Sequence, residues 1–571
     1  MKVHIMKSDD SFRQLRENGA YYVDKTDLIV EYLDKWFEKA VLFTRPRRFG
    51  KTMTMTMFRD FLDILQDSKD IFEGLKIMDY PDVVSKYMNQ YPVMFISMKA
   101  VTGDDFDKVL QNFAGTISKL CEDNSFLMSS TKVSDVSKAL FETLWKQEGN
   151  QATMERALEI IGDMLKKHFG KPVFVIIDEY DVPMAKALDT SHYEQVRDMV
   201  ERMLSHVCKT NSNIQGVILS GCLYTVKNST YTGVNNIISY SVFSPLYASY
   251  IGFTDEDVRK LLKDADLSDL YDTVKEWYDG YIFGRQRMYC PWDVLSFVQA
   301  KLSGSYDEYR GPESYWVGTS ESAQDLIHGF LGKTTDVNER FEQLLAGGTI
   351  ECVVDECVPY HRIHDRGENL WSALVETGYL TRAVEGRPLR MPLRIPNRSI
   401  QKAFQMEVWS YFKDKVDNVF VGDLVNALWA GQTEMAQKAM NQILEATLSF
   451  YHEYHEYSYH LILDGFFTGM GYRVQSERET GYGRSDLIIL DMARNRSLIL
   501  ELKHLKKEGA KVKDMAYEKT IEEKMEAALQ EGVSQAIRMK YESQLIYEGY
   551  TMRLQYAMAF CEKRARIARI S

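Results

Sequence analysis

The sequence predicts an α/β protein. A parallel sheet carrying a phosphate-binding loop fills the first half, a helical and winged-helix-like segment the middle, and a second α/β domain the C-terminal end. Three observations carry this. Short apolar strands alternate with helical stretches in the first half, the pattern of a parallel sheet covered on both faces. The step Gly50-Lys51-Thr52 stands directly between one such strand and a helix. Near the other end, a strand led by Asp486 and a strand containing Glu501-x-Lys503 flank a turn.

At 571 residues the chain is too long for one core and predicts two to four domains. We place them at 1–255, 256–400 and 401–571. Hydrophobic content of 45% and charged content of 27% are those of an ordinary globular protein. A net charge of −12 argues against a chain that coats nucleic acid non-specifically. A local basic groove is still allowed, because binding depends on where charge sits. Met1 is followed by charged and polar residues with no apolar signal region. No apolar run approaches the roughly 18 residues of a membrane span. The seven cysteines are scattered and odd in number, the usage of reduced thiols. A cytoplasmic chain without membrane contact is expected.

Element by element, Ala40–Thr44 reads as a strand and a helix starts near Lys51 and runs through Leu62. Residues 92–97 have strand character, 173–177 form the clearest buried strand, and 216–220 form another. From about 255 to 400 short helices with many aromatics take over. Within them, 370–380 followed by 381–394 reads as a helix and a β-hairpin, the outline of a winged helix. Pro392, Pro396 and Asn397 mark a boundary near 400. Helices to about 470, two strands in 485–503, a charged helix around 517–531 and a strand near 554–560 complete the chain.

The stretch Arg45-Pro46-Arg47-Arg48-Phe49-Gly50-Lys51-Thr52 ends as a Walker A loop does. Backbone N–H groups of Arg48, Phe49 and Gly50 and the helix dipole would cradle phosphates. Lys51 would reach the β- and γ-phosphates, and the Thr52 hydroxyl would ligate Mg²⁺. Arg45 stands where the pattern has its first glycine. Asp178 and Glu179, ending the strand 173–177, have the Walker B form. Asp178 would hold Mg²⁺ and Glu179 would polarise the attacking water. Ser220, at the end of its strand, sits where a sensor would touch the γ-phosphate or that water. The alternative is an ordinary strand-end serine. Arg45, Arg47 and Arg48 are either phosphate contacts, one of them an arginine finger on a neighbouring subunit, or solvated loop charges.

In the C-terminal domain, strand alternation puts Glu501 and Lys503 on one face and Leu500 and Leu502 on the other. Asp486 lies beside them across the hairpin. Asp486 and Glu501 can hold one or two Mg²⁺ (or Mn²⁺), which polarise a phosphodiester and generate hydroxide. Lys503 can stabilise developing charge. Gly481-Tyr482-Gly483-Arg484 offers a basic approach for a phosphate backbone, and Gln535 could be an accessory residue.

Tyr22-Val23-Asp24-Lys25-Thr26, the Arg45–Thr52 run, Asp178-Glu179-Tyr180-Asp181, Gly252-Phe253-Thr254, Trp277-Tyr278-Asp279-Gly280-Tyr281 and Tyr315-Trp316 together resemble one family. It is the bacterial AAA-ATPase-like family with a C-terminal PD-(D/E)XK nuclease domain, and the resemblance covers nearly the whole chain. It implies an AAA/STAND-like P-loop NTPase fold and a nuclease-like C-terminal domain. It also implies that Asp24 and Lys25 lie near the nucleotide, and that a helix glutamate completes the nuclease site. Glu456 matches that helix best, with Glu453 as the alternative.

Two classes of function follow. In one, ATP binding and hydrolysis control metal-dependent cleavage of nucleic acid, DNA in the first place, and defence against foreign DNA is a fitting role by family analogy. In the other, a signalling or scaffold ATPase acting as a nucleotide-driven homo-oligomer uses the winged-helix-like segment and a silent nuclease fold as binding modules. Three further patterns are set aside. Cys352, Cys357, His361 and His364 are too cramped for an ordinary zinc site. Met53, Met55 and Met57 at period two cannot form one helical face. Lys506, Lys507, Lys511, Lys513 and the terminal Lys563, Arg564, Arg566 and Arg569 read as either a groove lining or solvated charge.

Overall fold

Five segments rich in β-branched and aromatic residues pair into one parallel sheet in the computed structural model of the protein. They are β1 (Ala40–Thr44), β2 (Val93–Ser97), β3 (Val173–Asp178), β4 (Ile214–Gly221) and β5 (Ile237–Tyr240). The structure describes residues 3–7, 10–35, 38–209, 211–224, 234–304, 312–316, 335–345, 347–358, 360–384, 388–413, 418–447, 456–480, 483–505, 515–539 and 542–571. These fall into two compact units, Met1–Ala323 with Thr349–Ile400, and Gln324–Gly348 with Gln401–Ser571.

In the first unit the sheet order is β2-β3-β4-β1-β5. β4 is thus inserted between β1 and β3, pairing Phe43 with Ser220 on one side and Ile177 with Leu219 on the other. β1 and β3 are buried along their whole length, as strands covered on both faces must be. The order brings the last residues of β1, β4 and β3 together at one edge of the sheet, the edge where α/β folds bind ligands. Four of these strands stand out in the sequence. β5 does not, because it is a four-residue edge strand with Ile238 exposed.

The helix Lys51–Leu62 follows β1 through the phosphate loop. Beyond the sheet, Phe253, Val258, Leu261, Val274, Tyr278 and Phe297 share a second core that also takes in Ile5. The hairpin of β6 (Tyr281–Phe283) and β7 (Gln286–Met288) adjoins this core in sequence. Next come β8 (Ile350–Cys352), the helix Gly367–Thr377, β9 (Thr381–Arg382) and β10 (Met391–Arg394). β10 pairs antiparallel with both β8 and β9, so a small antiparallel sheet with one strand before the helix and two after it occupies the winged-helix-like segment.

The second unit is built on the sheet β11 (Arg473–Thr480), β12 (Gly483–Asp491), β13 (Arg496–His504), β14 (Met552–Cys561) and β15 (Arg564–Arg569). β13 and β14 are parallel and the other neighbours antiparallel. One face carries Leu487, Leu500, Leu502, Leu554 and Phe560 against Leu424, Leu463 and Phe467, from helices preceding β11. The other face packs Ile488, Leu490 and Ile499 on Ala536 of the helix Met515–Met539. β11 is an edge strand of mostly polar sequence, so its alternation carries no apolar signal, and β15 is a six-residue edge strand whose buried Ala565 and Ile567 stand among three arginines. The terminal arginines lie on β15, where Arg566 is within ion-pair range of Glu522 and Glu526. Among the described residues, no helix is long and apolar enough to cross a membrane.

Gly280 shows why Trp277–Tyr281 has its spelling. Its φ is +121°, and a Cβ there would lie 2.0 Å from the Pro396 carbonyl oxygen. Arg394 clamps this crossing by donating to the carbonyls of both Gly280 and Pro396. Gly280→Ala should destabilise the first unit by at least about 1–3 kcal/mol from the backbone strain alone, read as a lower denaturation midpoint.

Candidate functional site

The phosphate loop leaves β1 and is pinned before it turns. The Arg45 guanidinium is fully buried and donates to the carbonyls of Thr44, Tyr240 and Tyr247 at 2.8, 2.8 and 3.1 Å. Left-handed backbone at Arg48 (φ 68°) and Gly50 (φ 91°) then curls the chain into the helix Lys51–Leu62. Such a turn aims successive N–H groups at one point, a concavity suited to an anion. The Lys51 ammonium sits inside the arch, 2.9 Å from the carbonyl oxygens of Arg45 and Pro46 and 3.6 Å from Cys222 Sγ.

Phe49 is buried against Tyr281 and Phe283, so its side chain packs and only its backbone faces the loop. The exposed Arg48 guanidinium lies 4.1 Å from the Trp292 ring. Arg47 is half-buried beside Cys222, Tyr360 and Asp181.

The inserted strand β4 organises the acidic half. Thr52 Oγ1 donates to Asp178 Oδ2 at 2.8 Å. On the other side Ser220 Oγ donates to Asp178 Oδ1 and accepts the Glu179 N–H at 3.2 Å. The Tyr180 N–H bonds the Ser220 carbonyl. Ser220, with no exposed surface, therefore orients the Asp178 carboxylate and holds the backbone at Glu179. Glu179 has φ 54°, a left-handed conformation that is costly for a residue with a side chain and clusters at functional sites. Burial first, then the charge of Asp178, pushes the Glu179 carboxyl above its ordinary value. Thr52 and Asp178 form an all-oxygen donor pair of the kind Mg²⁺ takes.

Asp24 and Lys25 have protein partners. Asp24 accepts from Thr26 and from the Lys76 N–H, closing the turn before the helix Asp27–Asp34. Lys25 pairs with Asp257 and donates to the Ser249 carbonyl at 2.8 Å. Asp257 also completes the capping box of Thr254, so the Tyr22–Thr26 and Gly252–Thr254 motifs are joined by one half-buried ion pair.

In the second unit Asp486, Glu501 and Lys503 share the sheet face covered by the helix Met515–Met539. The β12–β13 ladder runs from Asp491–Arg496 to Leu487–Leu500. One step further, the Asp486 carboxylate takes the Leu502 N–H at 2.7 Å. Glu501 is fully buried and Lys503 Nζ lies 3.1 Å from its Oε1. Lys503 also donates to Gln535 at 2.9 Å. Gly532 permits this, since a Cβ there would already touch Ala557 at 3.3 Å and the Lys503 stem at 3.4 Å.

The helix Glu456–Gly469 docks by stacking Tyr459 on Phe560, with ring centroids 4.3 Å apart. His460 bonds the Asp486 carbonyl at 3.0 Å. Glu456 opens that helix one turn earlier, with its side chain outside the described residues. Glu453, Gly481, Tyr482, the lysines 506–513 and the side chains of His361 and His364 also lie outside them. Among the described residues no three His, Cys, Asp or Glu side chains cluster as a metal site. The fit of a metal to the second unit rests on the oxygen donors of Asp486 and Glu501 beside one ammonium, a set suited to a hard divalent cation.

Residues 8–231 match the family model described as a predicted AAA-ATPase, and residues 454–569 match the PD-(D/E)XK nuclease superfamily. The first match contains the Arg45–Thr52 loop, Asp178, Glu179 and Ser220, and the second contains Glu456, Asp486, Glu501 and Lys503. The chain is also similar to the "Uncharacterized protein in vnfD 5'region" of Azotobacter chroococcum mcd 1. They are 24% identical over 503 residues, which is 84% of this chain and 86% of that protein. The pairing of an AAA-ATPase-like with a nuclease-superfamily domain supports ATPase plus nuclease-like activity.

Several residues that build these sites receive no role from the sequence. Asp181 and Tyr360 border the ATPase-like site, and His460 and Gly532 shape the nuclease-like one. His460 has a sequence signal, standing one turn after Glu456 on the helix. Gly532 has another, three residues before Gln535. Tyr360 has none, because only the fold brings it to β3.

Glu376 is a further missed group. Its carboxyl is buried in the helix Gly367–Thr377 and faces Arg45, the residue in place of the first loop glycine. Burial pushes it from the usual 4.5 up to about 8, against the pull of Arg45. A carboxyl raised on folding holds its proton more tightly folded than unfolded. Its contribution to stability is full below about pH 4.5 and is lost as pH rises to about 8. Glu376→Gln should therefore melt with a shallower pH dependence than the wild type across that window, and should be the more stable of the two at its upper end. Thermal melts at several pH values check this.

Proposed function

We propose that the first unit binds and hydrolyses ATP with Mg²⁺, and that the second cleaves nucleic acid, DNA in the first place, with a divalent metal. The observation that carries this reading is the Asp178 carboxylate held between Thr52 and Ser220, with Glu179 poised beside it.

Phosphates would lie against the Arg48–Thr52 backbone, with Lys51 leaving its loop carbonyls for the β- and γ-phosphates. Thr52 and Asp178 would hold Mg²⁺, which neutralises phosphate charge when bound. Glu179, lifted by burial, would take the proton of the attacking water. Ser220 would keep the Asp178 carboxylate aimed and fix the backbone that carries Glu179, a positioning role. Asp24 and Lys25 would act by fixing Thr254 and Asp257 beside the site.

In the second unit Asp486 and Glu501 would hold Mg²⁺ or Mn²⁺, which would supply Lewis acidity at the scissile phosphate. Lys503, steadied by Gln535, would balance charge on the scissile phosphate, with Glu456 as the helix acid. A cytoplasmic role in defence against foreign DNA is consistent with the pairing.

Lys51→Ala should abolish ATP turnover, with cutting either retained or lost along with it, whereas Glu501→Ala should abolish cutting and spare ATP turnover. Phosphate release is measured alongside cleavage of plasmid, linear and single-stranded DNA and of RNA, with Mg²⁺ or Mn²⁺, with and without ATP. A wild-type chain that binds these substrates and cuts none makes the second unit a binding module. Ser220→Ala should lower turnover by about 10–100-fold, the usual effect of freeing a metal-holding carboxylate. Nucleotide affinity, measured with a fluorescent ATP analogue, should change little.

A further inference from the structure

Asp181 lies two residues past Glu179 and is almost wholly buried. One of its oxygens, Oδ2, accepts three donors. Two are the N–H groups of Cys222 and Leu223, at 2.8 and 3.0 Å. The third is the Tyr360 hydroxyl at 3.2 Å, which comes from the turn before the helix Gly367–Thr377. Tyr180 closes the same turn from the other side, its hydroxyl donating to the Leu223 carbonyl at 2.6 Å. Gly221 makes room for both, since a Cβ there would lie 2.6 Å from the Tyr180 ring and 2.8 Å from Asp181 Oδ1. The turn so held carries Cys222, whose sulfur is 3.6 Å from Lys51 Nζ.

We propose that Tyr360 is a positioning residue for ATP hydrolysis, acting through Asp181 on the Cys222–Leu223 turn that borders Lys51. The inference rests on the ATPase reading above and assigns the winged-helix-like segment a part in it. An oxygen shared by three donors cannot favour all of them equally, so losing one lets the other two draw closer and shifts the turn. That turn borders the lysine that must meet the phosphates, and a small displacement of a reacting group is costly to rate. Burial holds the Tyr360 hydroxyl well above its ordinary pKa, so it remains a donor throughout the neutral range. The same segment also bears on the loop directly, with Gly378 packed against Pro46 so closely that a Cβ would lie 2.7 Å from its ring.

Tyr360→Phe keeps the ring and removes only the hydroxyl, so a purely packing role would leave turnover unchanged. The test measures kcat, KM and melting temperature for Tyr360→Phe, Asp181→Asn and the double variant. For Tyr360→Phe the expected result is a kcat about 10-fold lower, the scale of a lost hydrogen bond to a charged group, with KM within about 2-fold. The double variant should be no slower than Asp181→Asn alone, since the hydroxyl acts through that carboxylate. If Asp181→Asn does not fold, Tyr360→Phe is combined with Cys222→Ala, where the same non-additivity is expected. Wild-type kcat in Tyr360→Phe, or a full additional loss in the double variant, overturns the inference while leaving the ATPase reading intact. A wild-type chain without ATP turnover overturns both.

Discussion

The position of the Asp178 carboxylate is the constraint on which the first unit depends. It sits at the end of a fully buried strand, where an ionised group is costly unless each oxygen has a partner. Thr52 supplies one partner from the phosphate-loop helix and Ser220 the other from β4. Both reach it because β4 lies between β1 and β3. In sequential order β2, rather than β4, would lie between β1 and β3, and Ser220 would reach Asp178 only from the far side of β3. Strand order thus decides which hydroxyl stands beside the acid on the loop side.

The second unit solves a similar problem differently. Glu501 is fully buried on a strand whose alternate residues, Leu500 and Leu502, belong to the main apolar core. Removing a carboxylate from water this completely is tolerated when a cation and aligned donors accompany it. Lys503 provides the cation from the same strand face, and Gln535 holds Lys503 from the covering helix. That arrangement needs the helix close to the strand, and Gly532 is the residue that allows the approach. Packing of the helix and charge balance at the acid are therefore one requirement seen from two sides.

These two solutions explain what was readable in the chain and what was not. Apolar strands with a polar residue at the end, such as 173–178, announce themselves because both burial and function leave local marks. So does Glu501-x-Lys503, whose period of two is the strand's own geometry. β11 gave no such mark, being a polar edge strand, and β5 and β15 were too short to carry a clear one. Ser220 was visible as a residue and its role was not, since the role depends on which strand lies beside it. Tyr360 and Glu376 were invisible for the same reason. Each is ordinary in its own segment and becomes significant only where the winged-helix-like segment meets the loop.

Arg45 brings these strands of argument together. In the Walker pattern a glycine opens the loop, and its absence looks like a defect when the motif is read alone. In the fold, the guanidinium gathers carbonyls from Thr44, Tyr240 and Tyr247, and so ties the end of β1 to the end of β5 and the segment beyond it. A glycine could make none of those bonds. The positive charge also faces the buried Glu376, with Gly378 packed on Pro46 next door. The freedom a glycine would give the loop is replaced by a side-chain anchor. The anchor at Arg45 and the packing of Gly378 on Pro46 therefore act on neighbouring residues, and together they hold the start of the loop.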